Sequence, residues 1–280
     1  MDWPYHWLLN KDHRVFRGAV ESVVMEATKG LIDPDARDSL GGKDTQCQHF
    51  FTKVFTLFRT YEADLTRALL CCSRLQDPVI EMRYYRSVPR RSSRRGGPQL
   101  VESETGADFA LTLEVAVPGE IAADRSVLGQ AKLVDLYSVP IPASQLEKLL
   151  GFAGPESGVY MMWGPNQQPS MVTAQNIRTL ARVNGSNRLR SQVASYGKPF
   201  AEFLVDMFFG LWFGKDFVRA AIPKRIPKNS PTALFAMLHL GTPPPNVVHF
   251  GITSSKARDL PAGVHVQEII ELNGNERESR

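Results

Sequence analysis

Two strand-like segments in close succession constrain the fold of this chain more than any other feature of its sequence. Residues 108–117 have the sequence Asp-Phe-Ala-Leu-Thr-Leu-Glu-Val-Ala-Val, in which aliphatic and polar residues alternate for part of the length. A loop that begins at Pro118 and Gly119 is expected to run to about Ser126, and a second strand is predicted over 127–134. Strands joined by a short connection pair most simply as an antiparallel hairpin. The sequence therefore predicts a sheet that contains this hairpin.

Helix and strand patterns alternate along the rest of the chain. Apolar residues three and four apart predict a long helix over about 45–75. The other predicted elements are helices over 15–29, 143–150 (closed by Gly151), 174–183 and from Pro199, and strands over 158–163, 247–253 and 264–272. This order predicts an α/β fold in which a mixed central sheet is flanked by helices.

Length and composition are those of a globular protein. The chain has 280 residues, of which 43% are hydrophobic and 22% are charged, so it is large enough to bury a sizeable core. We expect an N-terminal helical extension over 1–44, a main domain over 45–273 and a charged, disordered tail over 274–280.

The sequence lacks the patterns of secreted, zinc-dependent and membrane-spanning proteins. Its three cysteines, two of them adjacent, fit neither a disulfide framework nor a zinc knuckle, and its six histidines are scattered without zinc-hydrolase spacing. The longest strongly apolar run, 200–213, contains two carboxylates and is too short to cross a bilayer. No basic segment followed by an apolar one begins the chain. We therefore expect a cytoplasmic protein without a membrane partner.

The residues with the most specific chemistry lie on the two strands of the hairpin. Asp108 opens the first strand, and Gln130 and Lys132, two residues apart on the second, project from one face. Antiparallel pairing can bring that face beside Asp108. The Asp108 carboxylate, the Gln130 amide oxygen and the Ala131 carbonyl are hard oxygen ligands of the kind that Mg²⁺ prefers. Lys132 would orient or deprotonate an attacking water and offset charge on a reacting phosphate.

These residues also carry a family resemblance. The segment Gly106-Ala107-Asp108-Phe109, followed by Gln130-Ala131-Lys132, resembles the motifs of the PD-(D/E)XK, or restriction-endonuclease-like, nuclease superfamily. More narrowly, it is similar to the Mrr-like branch, in which Gln replaces the Glu of the E-x-K motif. The resemblance covers about 62–151. It implies a restriction-endonuclease-like fold, a nuclease-like domain over 45–273, and catalysis with Mg²⁺ or, in its place, Mn²⁺.

Two further residues are assigned through this resemblance. Glu62, on the helix before the sheet, matches the acidic residue that such families often place near the metal; the alternative is an exposed residue of an amphipathic helix. Gln145, just after the second strand, resembles a supporting helical Gln. Because the neutral Gln130 leaves one negative charge fewer for a metal than Glu would, an inactive relative that only binds DNA is an open alternative.

Basic segments are the candidates for contacts with nucleic acid. Lys and Arg outnumber Asp and Glu by 33 to 29, a mild excess that is compatible with a polyanionic partner. Six arginines and no acid lie between 83 and 95, a segment predicted to be a loop, and a second basic loop is predicted over 223–228. The candidate backbone contacts are Arg90, Arg91, Arg94, Arg95, Lys224, Arg225 and Lys228. The alternative for the arginine segment is a solvated connector.

Together these features predict a metal-dependent DNA endonuclease, acting as a prokaryotic restriction or anti-phage defence effector. Cutting both strands of duplex DNA needs two active sites, so by family analogy we expect a homodimer or higher homo-oligomer, with a defence-system protein as a further partner. Two other functions stay open: a non-catalytic DNA-binding or adaptor protein on a nuclease scaffold, and an RNase effector.

Overall fold

A seven-stranded mixed sheet forms the centre of the protein. The computed structural model describes residues 14–32, 41–72, 77–86, 106–117, 120–134, 137–155, 157–164, 167–209 and 246–254. The helices are α1 (Arg14–Ile32), α2 (Lys43–Thr60), α3 (Glu62–Cys72), α4 (Ala143–Ala153), α5 (Ala174–Asn184) and α6 (Phe200–Phe209), with a 3₁₀ helix at Ser191–Tyr196. The strands are β1 (Pro78–Arg86), β2 (Phe109–Val117), β3 (Glu120–Leu133), β4 (Ser138–Pro140), β5 (Gly158–Gly164), β6 (Gln167–Thr173), β7 (Arg188–Arg190), β8 (Lys198–Pro199) and β9 (Asn246–Ser254).

The strand order of the main sheet is β1-β9-β2-β3-β5-β6-β8. Strands β2 and β3 pair antiparallel, whereas β3 and β5 are parallel neighbours joined by the crossover helix α4. The late strand β9 lies between β1 and β2, antiparallel to the first and parallel to the second. A separate two-stranded ribbon joins β4 to β7. The predicted α/β class, a mixed sheet flanked by helices, is confirmed.

Two helical layers cover the two faces of the sheet. The first layer consists of α1, α2, α3 and α6, and its core is aromatic: Phe51 contacts the rings of Phe50, Phe109 and Phe200. The second layer consists of α4 and α5, which pack on β3, β5 and β6 through smaller aliphatic residues. Because consecutive strand residues face opposite sides, Ala131 belongs to the first core while its neighbours Gln130 and Lys132 face the second layer.

Helix α1 comes from the segment expected to form an N-terminal extension. It packs against α2, α3 and α6 and contributes Phe16 and Val20 to the first core. None of the helices within the described ranges combines the length and the apolar composition needed to span a bilayer.

The predicted hairpin forms, but its connection is shorter than expected. Strand β3 begins at Glu120, directly opposite Val117, so the loop expected to extend to Ser126 is wrong. Only residues 118–119 connect the two strands. The polar sequence between Glu120 and Ser126 resembled a loop because it lacks aliphatic alternation, yet it continues the pairing as the outer end of the ribbon.

Helix boundaries differ from the predicted ones in two places. The long helix expected over 45–75 is two helices, α2 and α3, which meet at Tyr61, where the backbone leaves helical geometry (φ −101°, ψ 16°). Apolar spacing continues across this junction, so the sequence pattern does not reveal it. Helix α4 passes Gly151 and ends at Ala153, because Gly154, with a φ of 80°, supplies the positive dihedral angle that terminates it.

Other predicted elements have mixed outcomes. The strand over 158–163, the helices over 174–183 and from Pro199, and the strand over 247–253 are confirmed as β5, α5, α6 and β9. Arg83 and Arg86 were assigned to a loop but lie on β1. Strands β1, β4, β6, β7 and β8 were not predicted. The strand expected over 264–272 and the tail over 274–280 lie outside the described residues.

Candidate active site

The register of the β2–β3 hairpin fixes the centre of the candidate site. Phe109 pairs with Gly129, and a Cβ atom on that glycine would overlap the Phe109 ring. The aromatic ring thus occupies the space that a side chain at 129 would need. One residue further, Asp108 comes to lie opposite Gln130, and the Asp108 N–H donates to the Gly129 carbonyl (2.7 Å). Asp108 and Gln130 are therefore neighbours, as the sequence predicted.

The carboxylate of Asp108 is buried, and one of its oxygens accepts three hydrogen bonds. Its Oδ2 accepts hydrogen bonds from the Gln130 side-chain amide, from the Ala131 backbone N–H (2.9 Å) and from the Lys43 ammonium (2.8 Å). Only 7% of the Asp108 side chain is exposed. Three donors converging on one oxygen hold the carboxylate in a single orientation.

Lys43 is the site residue that the sequence reasoning missed. It is the first residue of α2, whose N-terminal turn is anchored because Gln46 accepts from the Trp163 indole N–H (3.1 Å) and donates to the Gly41 carbonyl (2.8 Å). Burial lowers the pKa of Lys43, but the attraction of Asp108 outweighs burial and raises it, so the ammonium stays charged. Lys43 and Asp108 are 65 residues apart in sequence, and no local pattern links them.

Lys132 is oriented by the residue expected to support it. Its Nζ donates to Gln145 Oε1 on α4 (2.9 Å). The loop before Asp108 closes on the same turn of α4: Gly106 has a φ of 68°, and a Cβ there would lie 2.6 Å from the Gln145 carbonyl oxygen. The glycine is needed on both counts, for its dihedral angle and for the close approach. This contact places the start of β2 and the Lys132–Gln145 pair side by side.

Two buried polar atoms beside the carboxylate lack partners among the described residues. They are Gln130 Oε1 and the Tyr160 hydroxyl, which belong to register partners on β3 and β5. Burial, with a smaller effect of the Asp108 charge, raises the pKa of Tyr160, so its hydroxyl remains a donor. Buried polar groups are normally hydrogen-bonded, and an unsatisfied pair at one place indicates a site for a polar ligand or ion.

The main chain of β3 supplies a further oxygen on this side. The Ala131 N–H points toward Asp108, and in an extended strand the N–H and C=O of one residue project to the same side. The Ala131 carbonyl therefore also points to the β2 side of β3, near the residue at which β2 begins. Asp108, Gln130 and Ala131 together offer one carboxylate and two neutral oxygens. Across the part of the chain that the structure describes, no three His, Cys, Asp or Glu side chains converge into a metal-binding group.

Strand β9 holds the backbone of Asp108 from the opposite side. Asn246 donates to the Asp108 carbonyl (3.2 Å) and accepts from the Tyr84 hydroxyl (2.7 Å). Further along the strand, His249 Nδ1 and Thr112 Oγ1 lie 2.7 Å apart. Burial, aided by the charge of Arg83, lowers the pKa of His249 to about 3, so its imidazole is neutral. These buried polar contacts connect β1, β9 and β2 and fix where the carboxylate sits.

Glu62 is not brought to the other candidate residues. Lys43, at one end of α2, contacts Asp108, and an 18-residue helix is about 27 Å long. Glu62 follows the opposite end of α2. Its helix α3 meets the sheet where the Ile80 N–H donates to Thr66 Oγ1 (3.4 Å), at the far end of the strands. Glu62 is half-buried and cannot share a metal ion with Asp108, because side chains cannot cover this distance.

The basic candidates lie outside the described residues. They are Arg90, Arg91, Arg94, Arg95, Lys224, Arg225 and Lys228. Comparison of the whole chain with protein families, curated proteins and solved structures finds no match. The assignment of function therefore depends on the geometry of the site.

Proposed function

We propose that the protein is a metal-dependent nuclease that hydrolyses phosphodiester bonds of DNA, with an active site of the restriction-endonuclease-like type. One observation carries the proposal: Gln130 is hydrogen-bonded to Asp108, and Lys132, two residues further along the same face of β3, donates to Gln145, whose backbone is in close contact with Gly106 just before Asp108. A carboxylate, an amide and an ammonium on neighbouring strands are groups that serve phosphodiester hydrolysis with a divalent cation.

The donor set suits Mg²⁺ or Mn²⁺. The Asp108 carboxylate, Gln130 Oε1 and the Ala131 carbonyl would hold the ion, and the unsatisfied, fully buried Gln130 Oε1 is the observation that supports this fit. Mg²⁺ commonly binds to one or two carboxylates and retains several waters. A single Asp is therefore sufficient for an ion whose coordination shell a substrate phosphate would complete. When bound, such an ion lowers the pKa of a water and polarises the scissile phosphate.

The side chains of the protein have distinct tasks around the substrate. Lys132, which donates a hydrogen bond to Gln145, would orient the attacking water and offset charge on a phosphate oxygen. Asp108 is fixed by the Ala131 N–H and by the amide of Gln130, so the oxygen ligands are ordered before substrate arrives. Preorganised charges of this kind stabilise the transition state without reorganisation during the reaction.

A second function is favoured by the Lys43–Asp108 ion pair. An ammonium 2.8 Å from Asp108, the one carboxylate at the site within the described ranges, competes with a divalent cation for the same charge. A protein that keeps this pair closed would bind DNA through a nuclease scaffold without cleaving it. The two functions differ in one observable, because the non-catalytic protein binds duplex DNA with a steep salt dependence and yields no product with any divalent metal.

We also propose that the protein acts in prokaryotic restriction or anti-phage defence. A restriction or anti-phage effector that cuts both strands would act as a homodimer or higher homo-oligomer, and a defence-system protein would regulate it. The side chains named at this site do not distinguish deoxyribose from ribose, so an RNase effector is the remaining alternative. Assays on DNA and RNA side by side separate these substrates.

A plasmid-cleavage assay tests the proposal. We expect supercoiled DNA to be cut with Mg²⁺ or Mn²⁺ and to remain intact with EDTA. Asp108→Asn preserves the shape of the side chain but removes its charge, and should lower the rate by about 10²-fold or more. Asp64→Asn is the matched control, because Asp64 lies on the exposed surface of α3. Equal cleavage by the wild type and by folded Asp108→Asn would refute the proposed site.

A further inference from the structure

Four arginines on and after α5 have no carboxylate partner within the described ranges. Arg178 and Arg182 are one turn apart on α5, and Arg188 and Arg190 are two residues apart on β7. Arg182, Arg188 and Arg190 are exposed. We call these four residues the arginine surface. Arg178 bonds to Gln175 and Arg188 to Ser138, both neutral side chains.

The chain segment that contains the arginine surface has no acidic residues. From 157 to 201 the sequence contains no Asp or Glu, but five Lys or Arg. Some exposed basic residues elsewhere have an acidic partner nearby, as Arg67 has Asp64 and Lys29 has Glu26. Of the five basic residues in this segment, Lys198 pairs with Asp206 on α6, and the four arginines that remain create a positive potential that attracts polyanions.

A cleft at the arginine surface contains an unsatisfied donor. Its volume is about 180 Å³, and Arg178 and Arg182 of α5 line it together with the first turn of α4 and the turn at 185–187. Arg178 Nε is buried and has no hydrogen-bond partner among the described residues. Glu147 also lines the cleft. A buried guanidinium N–H without an acceptor indicates that an anionic oxygen from outside the protein completes it.

The arginine surface adjoins the candidate active site through α4. Ala143 and Leu146 line the cleft, whereas Gln145, between them in sequence, accepts from Lys132. Neighbouring helix residues advance by only about 1.5 Å along the axis. One turn of α4 therefore has the catalytic lysine on one side and the arginine cleft on the other.

The spacing of the arginines suits a chain of phosphates. Side chains four apart on a helix or two apart on a strand are separated by about 6–7 Å, close to the distance between successive phosphates of a nucleic-acid strand. Tyr137 is 82% exposed beside this surface, and its carbonyl accepts from the Ser191 N–H, next to Arg190. An exposed aromatic ring among arginines is typical of nucleic-acid contact surfaces.

We infer that the arginine surface binds the phosphodiester backbone of the nucleic-acid substrate and guides it across α4 to Lys132. The inference rests on the proposed function for the identity of the ligand. It assigns backbone binding to Arg178, Arg182, Arg188 and Arg190, which the sequence did not single out.

Binding of a short fluorescent DNA duplex, measured by anisotropy in EDTA over a range of salt concentrations, tests the inference without cleavage. We expect the fourfold Arg→Gln variant to lose at least about tenfold in affinity, and its slope of log K against log salt to fall by about 0.9 per lost phosphate contact. Arg182→Gln/Arg190→Gln, which changes only exposed side chains, should show about half of this slope change and keep the wild-type melting temperature.

The matched control removes the same number of charges from the first layer, as Lys29→Gln, Lys53→Gln, Arg59→Gln and Arg67→Gln. Its affinity should stay within about twofold of wild type, because those side chains lie on other elements. Equal losses in both fourfold variants, no loss in either, or arginine-dependent binding of anionic lipid vesicles without DNA binding would overturn the inference. Arginine-dependent DNA binding by a wild type that never cleaves would support it while refuting the nuclease function.

Discussion

The two helical layers that cover the sheet differ in whether their basic residues have acidic partners. On the first layer, four basic residues have acidic partners: Arg17 with Glu21 and Glu202, Lys29 with Glu26, Arg67 with Asp64, and Lys43 with Asp108. On the second layer, the arginine surface has none among the described residues. The buried polar atoms without partners, Gln130 Oε1, the Tyr160 hydroxyl and Arg178 Nε, also belong to the second layer or to the sheet face that it covers.

We interpret this difference as one between charges that are paired within the fold and polar groups that a ligand would pair. The first layer pairs several of its charges internally and buries a continuous aromatic core, so it contributes to stability. The second layer leaves donors and acceptors unsatisfied, which costs stability unless a ligand pairs with them. Changes in the first layer should therefore affect folding, and changes around the second layer should affect binding and catalysis.

The largest expected effect is on the first core. Phe51 is fully buried among aromatic rings, and Phe51→Ala should lower the free energy of unfolding by about 3–5 kcal/mol through lost contacts and a residual cavity. Denaturant unfolding measures this change. Leu70→Ala, on an exposed position of α3, is the control and should cost roughly 0.5 kcal/mol or less. If the Phe51 variant retained full stability but lost DNA binding, the separation of roles would fail.

Lys43 connects the two layers, because it extends from the first layer to the Asp108 carboxylate. Lys43→Gln leaves the Asp108 charge buried with fewer donors and should destabilise the protein by about 3 kcal/mol in EDTA. Added Mg²⁺ should then raise the melting temperature of this variant more than that of the wild type, because the ammonium no longer competes with the cation. Lys29→Gln is the control. An identical response of variant and wild type to Mg²⁺ would argue against a cation site at Asp108.

The buried His249 should make folding sensitive to acid. Its pKa of about 3 lies below the ordinary value of 6.5, so between these values the unfolded state binds a proton that the folded state does not. Stability should therefore fall as the pH decreases from about 6.5 to 3, by up to about 1.4 kcal/mol per pH unit. His249→Asn can still bond to Thr112 but does not titrate, and its unfolding free energy should vary less over this range. If the unfolding free energy of both proteins changed equally with pH, His249 would not be the source of the acid sensitivity.

The smallest expected effect concerns the position of Lys132. Gln145→Ala removes the acceptor that orients the lysine and should reduce cleavage by about tenfold or less, since the ammonium itself remains. Gln145→Glu keeps an acceptor oxygen and should recover much of the rate. A variant with Ala that cleaves as fast as wild type would show that the Lys132–Gln145 contact does not contribute to catalysis.

Local patterns in the sequence predicted the elements that surround the site, but not how distant elements meet. Alternation identified β2 and the inner part of β3, and the two-residue spacing of Gln130 and Lys132 correctly placed both on one face. The contact between Lys132 and Gln145 follows from a helix that begins shortly after β3. These relations involve short separations along the chain, where periodicity and turn residues carry the information.

Long-range relations could not be predicted in this way. The insertion of β9 between β1 and β2 and the approach of Lys43 to Asp108 depend on packing between segments far apart in sequence. Glu62 was assigned to the site through resemblance alone, and the length of α2 separates it from Asp108. The arginine surface was missed because its four residues are spread over a helix, a turn and a strand, without forming a dense run.

Single-turnover cleavage of a labelled DNA duplex by Lys132→Ala tests the central claim most directly. Lys148→Ala, on the exposed surface of α4, is the matched control. The account predicts that the Lys132 variant remains folded and binds the duplex with near wild-type affinity, but cleaves it about 10²-fold or more slowly, while the control cleaves normally. A folded Lys132→Ala protein that cleaves at the wild-type rate would contradict the account.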